Sequence, residues 1–363
     1  MKYNKNILLT GTAGFIGSNF VPYFLEKYPD YNLVNLDLLT YAGNLENLKE
    51  CEQNPRYKFI KGDICNRELV EFIFNEYDIK GVIHFAAESH VDNSIKNPGV
   101  FVQTNVTGTY TLVDVAKNYW MEKPFVYKEA YQNCRFHHIS TDEVYGTLTL
   151  DPNDLFTETT PYMPNSPYSA SKASSDMIIR AYHETYGLDT VITNCSNNYG
   201  PKQHDEKLIP TIIRNALKGN PIPIYGDGKN IRDWLYVLDH CKGIDLVYHT
   251  GKTGDTYNIG GRNERTNLQI VDRICTILDE KVPLSHCEPS EAIHSPVIAS
   301  ATKQSISSYK DLITFVEDRA GHDRRYAIDA TKLENELGWK ADENFDSGIV
   351  KTIEWYLSKY GVK

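Results

Sequence analysis

The chain has 363 residues, and its 38 Lys and Arg against 48 Asp and Glu give a formal net charge of −10 at pH 7. This length predicts one large core with a smaller lobe, and the acidic balance excludes a general attraction to nucleic acid or to an anionic membrane surface. No run of residues approaches the roughly 20 apolar residues of a membrane span. The seven cysteines are scattered without a Cys-x-x-Cys pair, which indicates a reduced, cytoplasmic protein without a zinc or redox centre.

Short apolar runs alternate with helix-length amphipathic stretches through the first half of the chain. The runs predict buried parallel strands at residues 7–10, 33–37, 57–61, 81–86 and 136–140, and the stretches predict helices near 15–27, 66–76 and 99–120. This alternation is typical of βαβ units. We therefore predict an α/β fold with a Rossmann-type doubly wound parallel sheet, in which ligands bind where the strands end.

The sequence changes character in its second half. A loop at 157–167 precedes a predicted helix over 166–186 and a sixth strand at 191–195, and a last helix is predicted at 345–360. Beyond residue 200, shorter elements separated by Gly and Pro indicate a smaller lobe. We expect residues 1–200 to form the Rossmann domain and 201–363 to form mainly a substrate-binding lobe, with some segments returning to the sheet. Residues 283–317 are weakly patterned and predict an irregular insertion.

Three glycines, Gly11, Gly14 and Gly17, lie between the first predicted strand and the first helix. Their spacing lets the chain turn tightly and approach a pyrophosphate, while the helix N-terminus presents unpaired N–H groups. The motif alone favours a dinucleotide site only weakly over a ligand-free glycine-rich turn. Asp37 ends the second strand, where a carboxylate accepts hydrogen bonds from an adenosine ribose and repels a 2′-phosphate, so NAD is favoured over NADP. The same argument about strand ends adds Asp63, Ile64, Ala86 and Ala87 to the predicted cofactor site.

Tyr168 and Lys172 lie four residues apart on the predicted helix 166–186, so both side chains share one helix face. An ammonium group there can stabilise a tyrosinate and reach a nicotinamide ribose. A free tyrosine, with a pKa of about 10, is otherwise a poor base near neutral pH. The spacing alone is weak evidence, because Tyr-x-x-x-Lys also begins at Tyr23, Tyr57, Tyr119, Tyr225 and Tyr248. Only Tyr168 opens a long helix after the fifth strand.

Two adjacent carboxylates, Asp142 and Glu143, follow the fifth predicted strand. Like charges held close together in a partly dry site raise the pKa of one group, which gives one protonated acid and one ionised base. The alternative is an ordinary acidic turn, which is the commoner meaning of an isolated Asp-Glu pair. Its position beside the predicted nicotinamide site favours the catalytic interpretation.

The glycine motif and the Tyr/Lys pair together resemble the extended short-chain dehydrogenase/reductases, and Thr141-Asp142-Glu143 resembles the catalytic signature of the dTDP-glucose 4,6-dehydratase family within them. The resemblance covers nearly the whole chain except 283–317. Further matching segments are 37–44, 86–92, 197–201, 223–226, 231–234 and 318–323.

This resemblance implies conversion of dTDP-glucose to a 4-keto-6-deoxy sugar, with transient oxidation at C4 by NAD. Tyr168 would take the O4 proton, Glu143 would remove the C5 proton, and Asp142 would protonate the departing C6 hydroxyl. Thr141 would hydrogen-bond O4 and Tyr168, and Lys172 would lower the pKa of the phenol and bind the cofactor ribose. The family also implies a homodimer formed through the helices near 99–120 and 166–186.

The resemblance also assigns binding residues position by position. The predicted NAD-binding residues are Gly11, Gly14, Phe15, Ile16, Gly17, Asp37, Leu38, Thr40, Asp63, Ile64, Ala86, Ala87, Tyr168, Lys172 and Asn198. The predicted substrate-binding residues are Ser89, Thr141, Asn197, Lys207, Leu208, Pro223, Tyr225, Arg232, Asn267, Arg319 and His322. Arginine suits the diphosphate because its guanidinium forms paired, charge-assisted hydrogen bonds.

Two other kinds of protein stay open at this point. A 4-epimerase, or a dehydratase acting on another nucleotide hexose, would share the glycines and the Tyr/Lys pair. A catalytically inactive NAD-sensing or scaffold protein could share the fold. A metal enzyme is not favoured, because the eleven histidines lack a ligand spacing such as His-Glu-x-x-His.

Overall fold

The computed structural model describes residues 5–282, 307–318 and 322–362. Its strands are β1 Lys5–Thr10, β2 Tyr31–Asp37, β3 Tyr57–Lys61, β4 Ile79–His84, β5 Met121–Lys123, β6 Val126–Tyr127, β7 Arg135–Thr141, β8 Thr190–Cys195, β9 Asn197–Tyr199, β10 Ile222–Tyr225, β11 Ile231–Tyr236, β12 Thr256–Ile259, β13 Glu264–Thr266 and β14 Ile313–Val316. Its helices are α1 Phe15–Lys27, α2 Arg67–Tyr77, α3 Val91–Lys96, α4 Pro98–Phe101, α5 Thr109–Trp120, α6 Pro167–Tyr186, α7 Leu208–Leu217, α8 Val237–Thr250, α9 Asn267–Lys281, α10 Thr331–Leu337 and α11 Phe345–Lys359.

Seven parallel strands form the main sheet in the order β12-β8-β7-β4-β1-β2-β3. This order confirms the predicted α/β, doubly wound fold. The strands read as continuous apolar runs because both faces of the sheet are covered. In β1, Ile7 and Leu9 pack into the core beneath α1 and α8, whereas Leu8 packs into the opposite core, with residues of α2, α5 and α6.

Two predicted elements differ in detail from the observed ones. The strand predicted at 81–86 ends at His84 as β4, so Ala86 lies beyond the sheet and can approach Gly11. The helix predicted near 99–120 is interrupted, because a π-helical segment at Val102–Gly108 separates α4 from α5. The π-helix carries Asn105, whose side chain bonds the backbone of Glu88.

A second apolar core lies between α7, α9 and α11, where Ile213, Ile274 and Ile353 are fully buried. Strands β10 and β14 pair with each other, and β9, β11 and β13 form a small sheet. In β11, Trp234 and Tyr236 pack into this second core, whereas Leu235 packs into the core beneath α1 and α8. Most of the predicted insertion, residues 283–306, lies outside the described residues. Within the described ranges, no helix combines the length and the apolar character needed to cross a membrane.

Candidate active site

A cleft of about 310 Å³ opens at the carboxyl ends of β1, β2, β3, β4, β7 and β8. It is lined by all fifteen predicted NAD-binding positions, by the five predicted catalytic residues, and by Ser89, Asn197 and Lys207. These residues come from segments up to 196 positions apart in the chain. Parallel strands carry them to one edge of the sheet, which is why they meet.

The glycine turn brings the backbone close to the next strand end. Gly11 has a φ of 71°, and a Cβ atom there would lie 2.5 Å from Ala86 Cα. A Cβ at Gly17 would lie 2.5 Å from Thr12 Cα, so α1 can pack onto the turn only with glycine at this position. Gly14 caps α1 without a side-chain hydrogen bond. The N–H groups of the first helical turn are therefore available to an anionic ligand.

Asp37, at the end of the adjacent strand β2, binds the backbone of the glycine turn. Its Oδ2 accepts a hydrogen bond from Ala13 N at 2.8 Å, and its Oδ1 accepts one from Leu39 N at 2.8 Å. Burial raises the pKa of Asp37, and these two backbone donors oppose that rise. Each carboxylate oxygen can accept a further hydrogen bond. Asp37 therefore fits a ribose, and the glycine turn beside it fits a pyrophosphate.

The acidic pair begins a 3₁₀ turn, Asp142–Tyr145, directly after β7. Asp142 is 2% exposed, and its Oδ2 has no hydrogen-bond partner among the described residues. Burial, together with the charges of Glu143 and Asp233, raises the pKa of Asp142 well above its usual value, although Arg232 acts in the opposite direction. Asp142 is therefore suited to carry a proton, as a general acid must.

Tyr168 lies in the first turn of α6, between Ser166 and Ser169, whose side chains form a capping box. The phenol is buried, and burial together with the charge of Glu143 raises its pKa well above the usual value. A hydrogen bond with Thr141 acts in the opposite direction. In this environment Tyr168 is protonated, so a base role depends on positive charge brought close to it.

Lys172 lies one helical turn after Tyr168 and is 4% exposed. Its Nζ donates a hydrogen bond to Ile139 O at 2.8 Å, which fixes the ammonium group at the end of β7. Burial lowers the pKa of Lys172 to about 8, and Asp176 acts in the opposite direction. That Lys172 lowers the pKa of Tyr168 stays a prediction.

Several predicted substrate residues lie away from the lining of this cleft. Arg232 is 7% exposed in β11, donates to Ile231 O and Asp323 O, and has its guanidinium carbon 4.2 Å from the centre of the Tyr326 ring. Its positive charge nevertheless lowers the pKa of Asp142, in opposition to burial. Arg319 lies outside the described residues. The other predicted substrate residues that do not line the cleft are Leu208, Pro223, Tyr225, Asn267 and His322.

The cleft also contains side chains that the sequence did not single out. Glu88 is 9% exposed. Its pKa is raised mainly by burial and, to a smaller extent, by the negative charge of Glu206. Glu88 belongs to the segment 86–92, whose match to the family pattern was the only sequence signal that could have indicated it. Nothing in the local sequence indicated Glu206, because the tertiary fold brings it to the cleft. The remaining unpredicted lining residues with polar side chains are Thr104, Ser140, Cys195, Ser196, Gln203 and His204.

The chain matches the family model described as GDP-mannose 4,6 dehydratase over residues 8–352. It is 52% identical over 353 residues to the dTDP-glucose 4,6-dehydratase of Neisseria gonorrhoeae, covering 97% of this chain and 96% of that relative. The crystal structure of dTDP-glucose 4,6-dehydratase from Bacillus anthracis in complex with NAD superposes with a TM-score of 0.81, at 44% identity and 98% coverage of both chains. The corresponding enzyme from Streptomyces venezuelae, with NAD bound, gives a TM-score of 0.82 at 41% identity, again with 98% coverage of both chains.

Proposed function

This chain belongs to the family of dTDP-glucose 4,6-dehydratases, and we propose that it removes water from dTDP-glucose and that Tyr168, Glu143 and Asp142 move the protons. The observation that carries the proposal is the burial of Asp142 beside Glu143, at the strand end where Tyr168 and Lys172 also lie. A buried acid next to an ionised one divides the two roles that an elimination needs.

The residues at the strand ends fit NAD. Gly11 and Gly17 leave a cradle that a Cβ atom would fill, and Asp37 offers a carboxylate for a ribose while repelling a 2′-phosphate. The first turn of α1 would hold the pyrophosphate, and Lys172 would reach the nicotinamide ribose. When bound, NAD supplies the acceptor for the C4 hydride of the sugar and returns that hydride to C6.

The proton transfers follow from the surroundings of each side chain. Tyr168, ionised with the help of the Lys172 ammonium group, accepts the O4 proton, and Thr141, which already bonds Tyr168, orients the sugar hydroxyl. Once C4 is a ketone, the C5 proton is acidic and Glu143 removes it. Asp142 gives its proton to the C6 hydroxyl, which leaves as water. The proton taken from O4 balances the proton that departs with the water, and C5 is reprotonated in the last step.

The substrate contacts are proposed in two groups. Ser89, Asn197 and Lys207 line the cleft and would hold the sugar and the diphosphate. Tyr225, Arg232, Asn267 and His322, together with Leu208, Pro223 and Arg319, belong to the lobe after residue 200, which we propose binds the nucleotide. This division of the chain at residue 200 is part of the proposal.

Mass spectrometry on a panel of nucleotide sugars tests the activity. The purified chain, loaded with NAD, is incubated separately with dTDP-glucose, UDP-glucose and GDP-mannose. We expect loss of one water from dTDP-glucose. A product of unchanged mass would identify a 4-epimerase, and loss of water from GDP-mannose alone would identify a different nucleotide specificity. No turnover on any sugar would favour an inactive NAD-binding protein.

We also propose that the chain is a cytoplasmic homodimer. The helices that the family uses for dimer contacts expose apolar side chains, with Val102 53%, Tyr110 45% and Met177 50% exposed. Burying such a face against a second copy would be favourable. Light scattering after gel filtration should give twice the monomer mass, and Tyr110→Glu with Met177→Glu should restore the monomer. Cell fractionation tests the location.

A further inference from the structure

A buried cluster of titratable side chains lies next to the cleft, and the proton transfers described above do not use two of its members. His138 Nε2 lies 3.3 Å from Lys172 Nζ and 3.2 Å from Asp176 Oδ1. Lys172, His138 and Asp176 are 4%, 0% and 1% exposed. A buried ammonium group is costly unless an opposite charge accompanies it. Asp176 is placed to be that counter-charge.

Asp176 also connects α6 to the end of β7. Its Oδ2 accepts hydrogen bonds from Ser140 Oγ at 2.8 Å and from Tyr162 OH at 3.0 Å. Ser140 directly precedes Thr141 in β7. The carboxylate therefore holds the strand end that carries the catalytic residues and, through His138, faces Lys172 on its own helix.

His138 lies between Asp176 and Lys172, with its Nε2 close to both side chains. A neutral imidazole nitrogen is either a donor or an acceptor, so Nε2 cannot donate to Asp176 and accept from Lys172 at the same time. Burial lowers the pKa of His138 well below its usual value, so the ring is neutral. The hydrogen bond is the one with Lys172: Nε2 accepts from the ammonium group, while Asp176 Oδ1, 3.2 Å away, has no hydrogen-bond partner among the described residues. The Lys172 ammonium group is thus held by Ile139 O and His138 Nε2, and Asp176 supplies the nearby negative charge.

We propose that Asp176 is a positioning residue for the dehydration reaction: together with His138 it keeps Lys172 charged and holds the ammonium group at the end of β7. This inference rests on the role proposed above for Lys172 beside Tyr168 and the cofactor. It assigns to α6 a third functional residue, one turn beyond the Tyr/Lys pair.

The electrostatic surroundings of Lys172 support this assignment. The titratable groups that face it are Tyr168 and Asp176 on α6, His138 on β7, His84 on β4 and Cys195 on β8. His84 is buried and neutral, since burial lowers its pKa, and burial raises the pKa of the Cys195 thiol, so that it too stays uncharged. Asp176, whose pKa burial raises to about 6, is thus ionised at neutral pH and is the negative charge in this set.

The test compares two buried aspartates that each lie close to a lysine or histidine side chain. Asp245 is 1% exposed, lies 2.6 Å from Lys27 Nζ and 2.9 Å from His249 Nδ1, and does not line the cleft. Asp176→Asn and Asp245→Asn therefore remove a buried charge from a Lys/His cluster with the same change of shape. Only the first should act on Lys172.

Two measurements on the NAD-loaded enzyme separate this inference from the proposed function. The Lys172 side chain is titrated by NMR after ¹³C labelling of lysine, with its resonance assigned by its absence in Lys172→Arg. In parallel, the pH dependence of NADH formation is followed after mixing with dTDP-glucose. Loss of a nearby opposite charge shifts a pKa by about 1 to 3 units. We expect the Lys172 midpoint to fall by about one unit or more in Asp176→Asn and to stay unchanged in Asp245→Asn.

Each outcome has a definite meaning. An unchanged Lys172 midpoint in Asp176→Asn overturns the inference, as does an equal shift in both variants. If the midpoint falls and the alkaline limb of NADH formation moves with it, both the inference and the role of Lys172 are supported. If the midpoint falls and the limb stays in place, Asp176 still controls Lys172, but the proposed function of Lys172 fails.

A milder pair of variants covers the case in which Asp176→Asn does not fold. Tyr162→Phe removes one hydrogen bond to Asp176, and Tyr23→Phe removes the matching bond to Asp245, whose Oδ2 lies 2.7 Å from Tyr23 OH. A carboxylate that loses a donor is ionised less readily. Tyr162→Phe should therefore lower the Lys172 midpoint in the same direction by a smaller amount, whereas Tyr23→Phe should not. Equal midpoints in the two variants would overturn the inference.

Discussion

Asp142 and Glu143 are neighbours in one 3₁₀ turn, yet Asp142 is 2% exposed while Glu143 is only half-buried. Because the two charges are close, ionised Glu143 adds to the effect of burial in raising the pKa of Asp142. This difference in burial supports the proposed division of roles, with Asp142 as the acid and Glu143 as the base.

Replacing Asp142 by Asn should separate oxidation from elimination. The amide keeps the size of the side chain but cannot give a proton to the C6 hydroxyl. We expect C4 oxidation to proceed, seen as bound NADH by its absorbance, and elimination to slow by ~10² to 10⁴-fold. Asp151→Asn, at an exposed loop position, is the control and should turn over normally. Full dehydratase turnover in Asp142→Asn would remove Asp142 from the acid role.

Replacing Tyr168 by Phe should suppress the oxidation itself. Without the phenol no group at this position accepts the O4 proton, so NADH formation on mixing with dTDP-glucose should fall by ~10² to 10⁴-fold. Tyr248→Phe is the matched control, because Tyr248 is a buried tyrosine that also begins a Tyr-x-x-x-Lys sequence but does not line the cleft. NADH formation at the normal rate in Tyr168→Phe would contradict the assignment.

A methyl group at Gly11 should block cofactor binding. The added Cβ would lie 2.5 Å from Ala86 Cα, and Gly11 has a φ of 71°. Gly219→Ala is the control, since Gly219 has a φ of 64° and a Cβ there would meet none of the described atoms within 4 Å. Both variants carry about 1 kcal/mol of backbone strain, and in Gly11→Ala the overlap with Ala86 also displaces the turn that would hold the cofactor. Only Gly11→Ala should lose NAD affinity, measured by calorimetry, and equal affinities would disprove the close-approach argument.

Buried His240 should make the protein less stable in mild acid. Its side chain is fully buried in α8, its Nδ1 lies 3.0 Å from Asn198 Oδ1, and burial lowers its pKa to about 3. In the unfolded chain a histidine has a pKa of about 6.5, so the unfolded state binds a proton that the folded state does not. The stabilisation is therefore complete above about pH 6.5 and is lost progressively as the pH falls towards about 3.

The size of this effect can be measured with His240→Asn, which keeps a donor toward Asn198 and removes the titration. Between pH 8 and pH 5 one such histidine lowers the free energy of unfolding by about 2 kcal/mol. Urea unfolding at both pH values, followed by fluorescence, should show a loss smaller by about that amount in His240→Asn than in the wild type. An equal loss in the two proteins would show that His240 does not contribute.

The alternation of apolar runs and amphipathic stretches predicted the parallel sheet because the pattern is local. Ile7, Leu8 and Leu9 read as a buried strand since each has a core on its own side of the sheet. The glycine turn, Asp37 and the Asp-Glu pair were then placed by one rule, that parallel strands deliver their ends to one edge. For those residues the positions in the sequence were sufficient.

Tertiary structure decided what the local pattern could not. Six Tyr-x-x-x-Lys sequences have the same spacing, and only the packing of α6 against β7 brings Lys172 to the carbonyl of Ile139. The sequence showed two equivalent carboxylates at 142 and 143, and burial made them different. Asp176 was not singled out at all, because its partners His138 and Ser140 lie more than 30 residues away and only folding brings them together. Burial and long-range charge set the chemistry of this site, and neither is a property of a short segment of sequence.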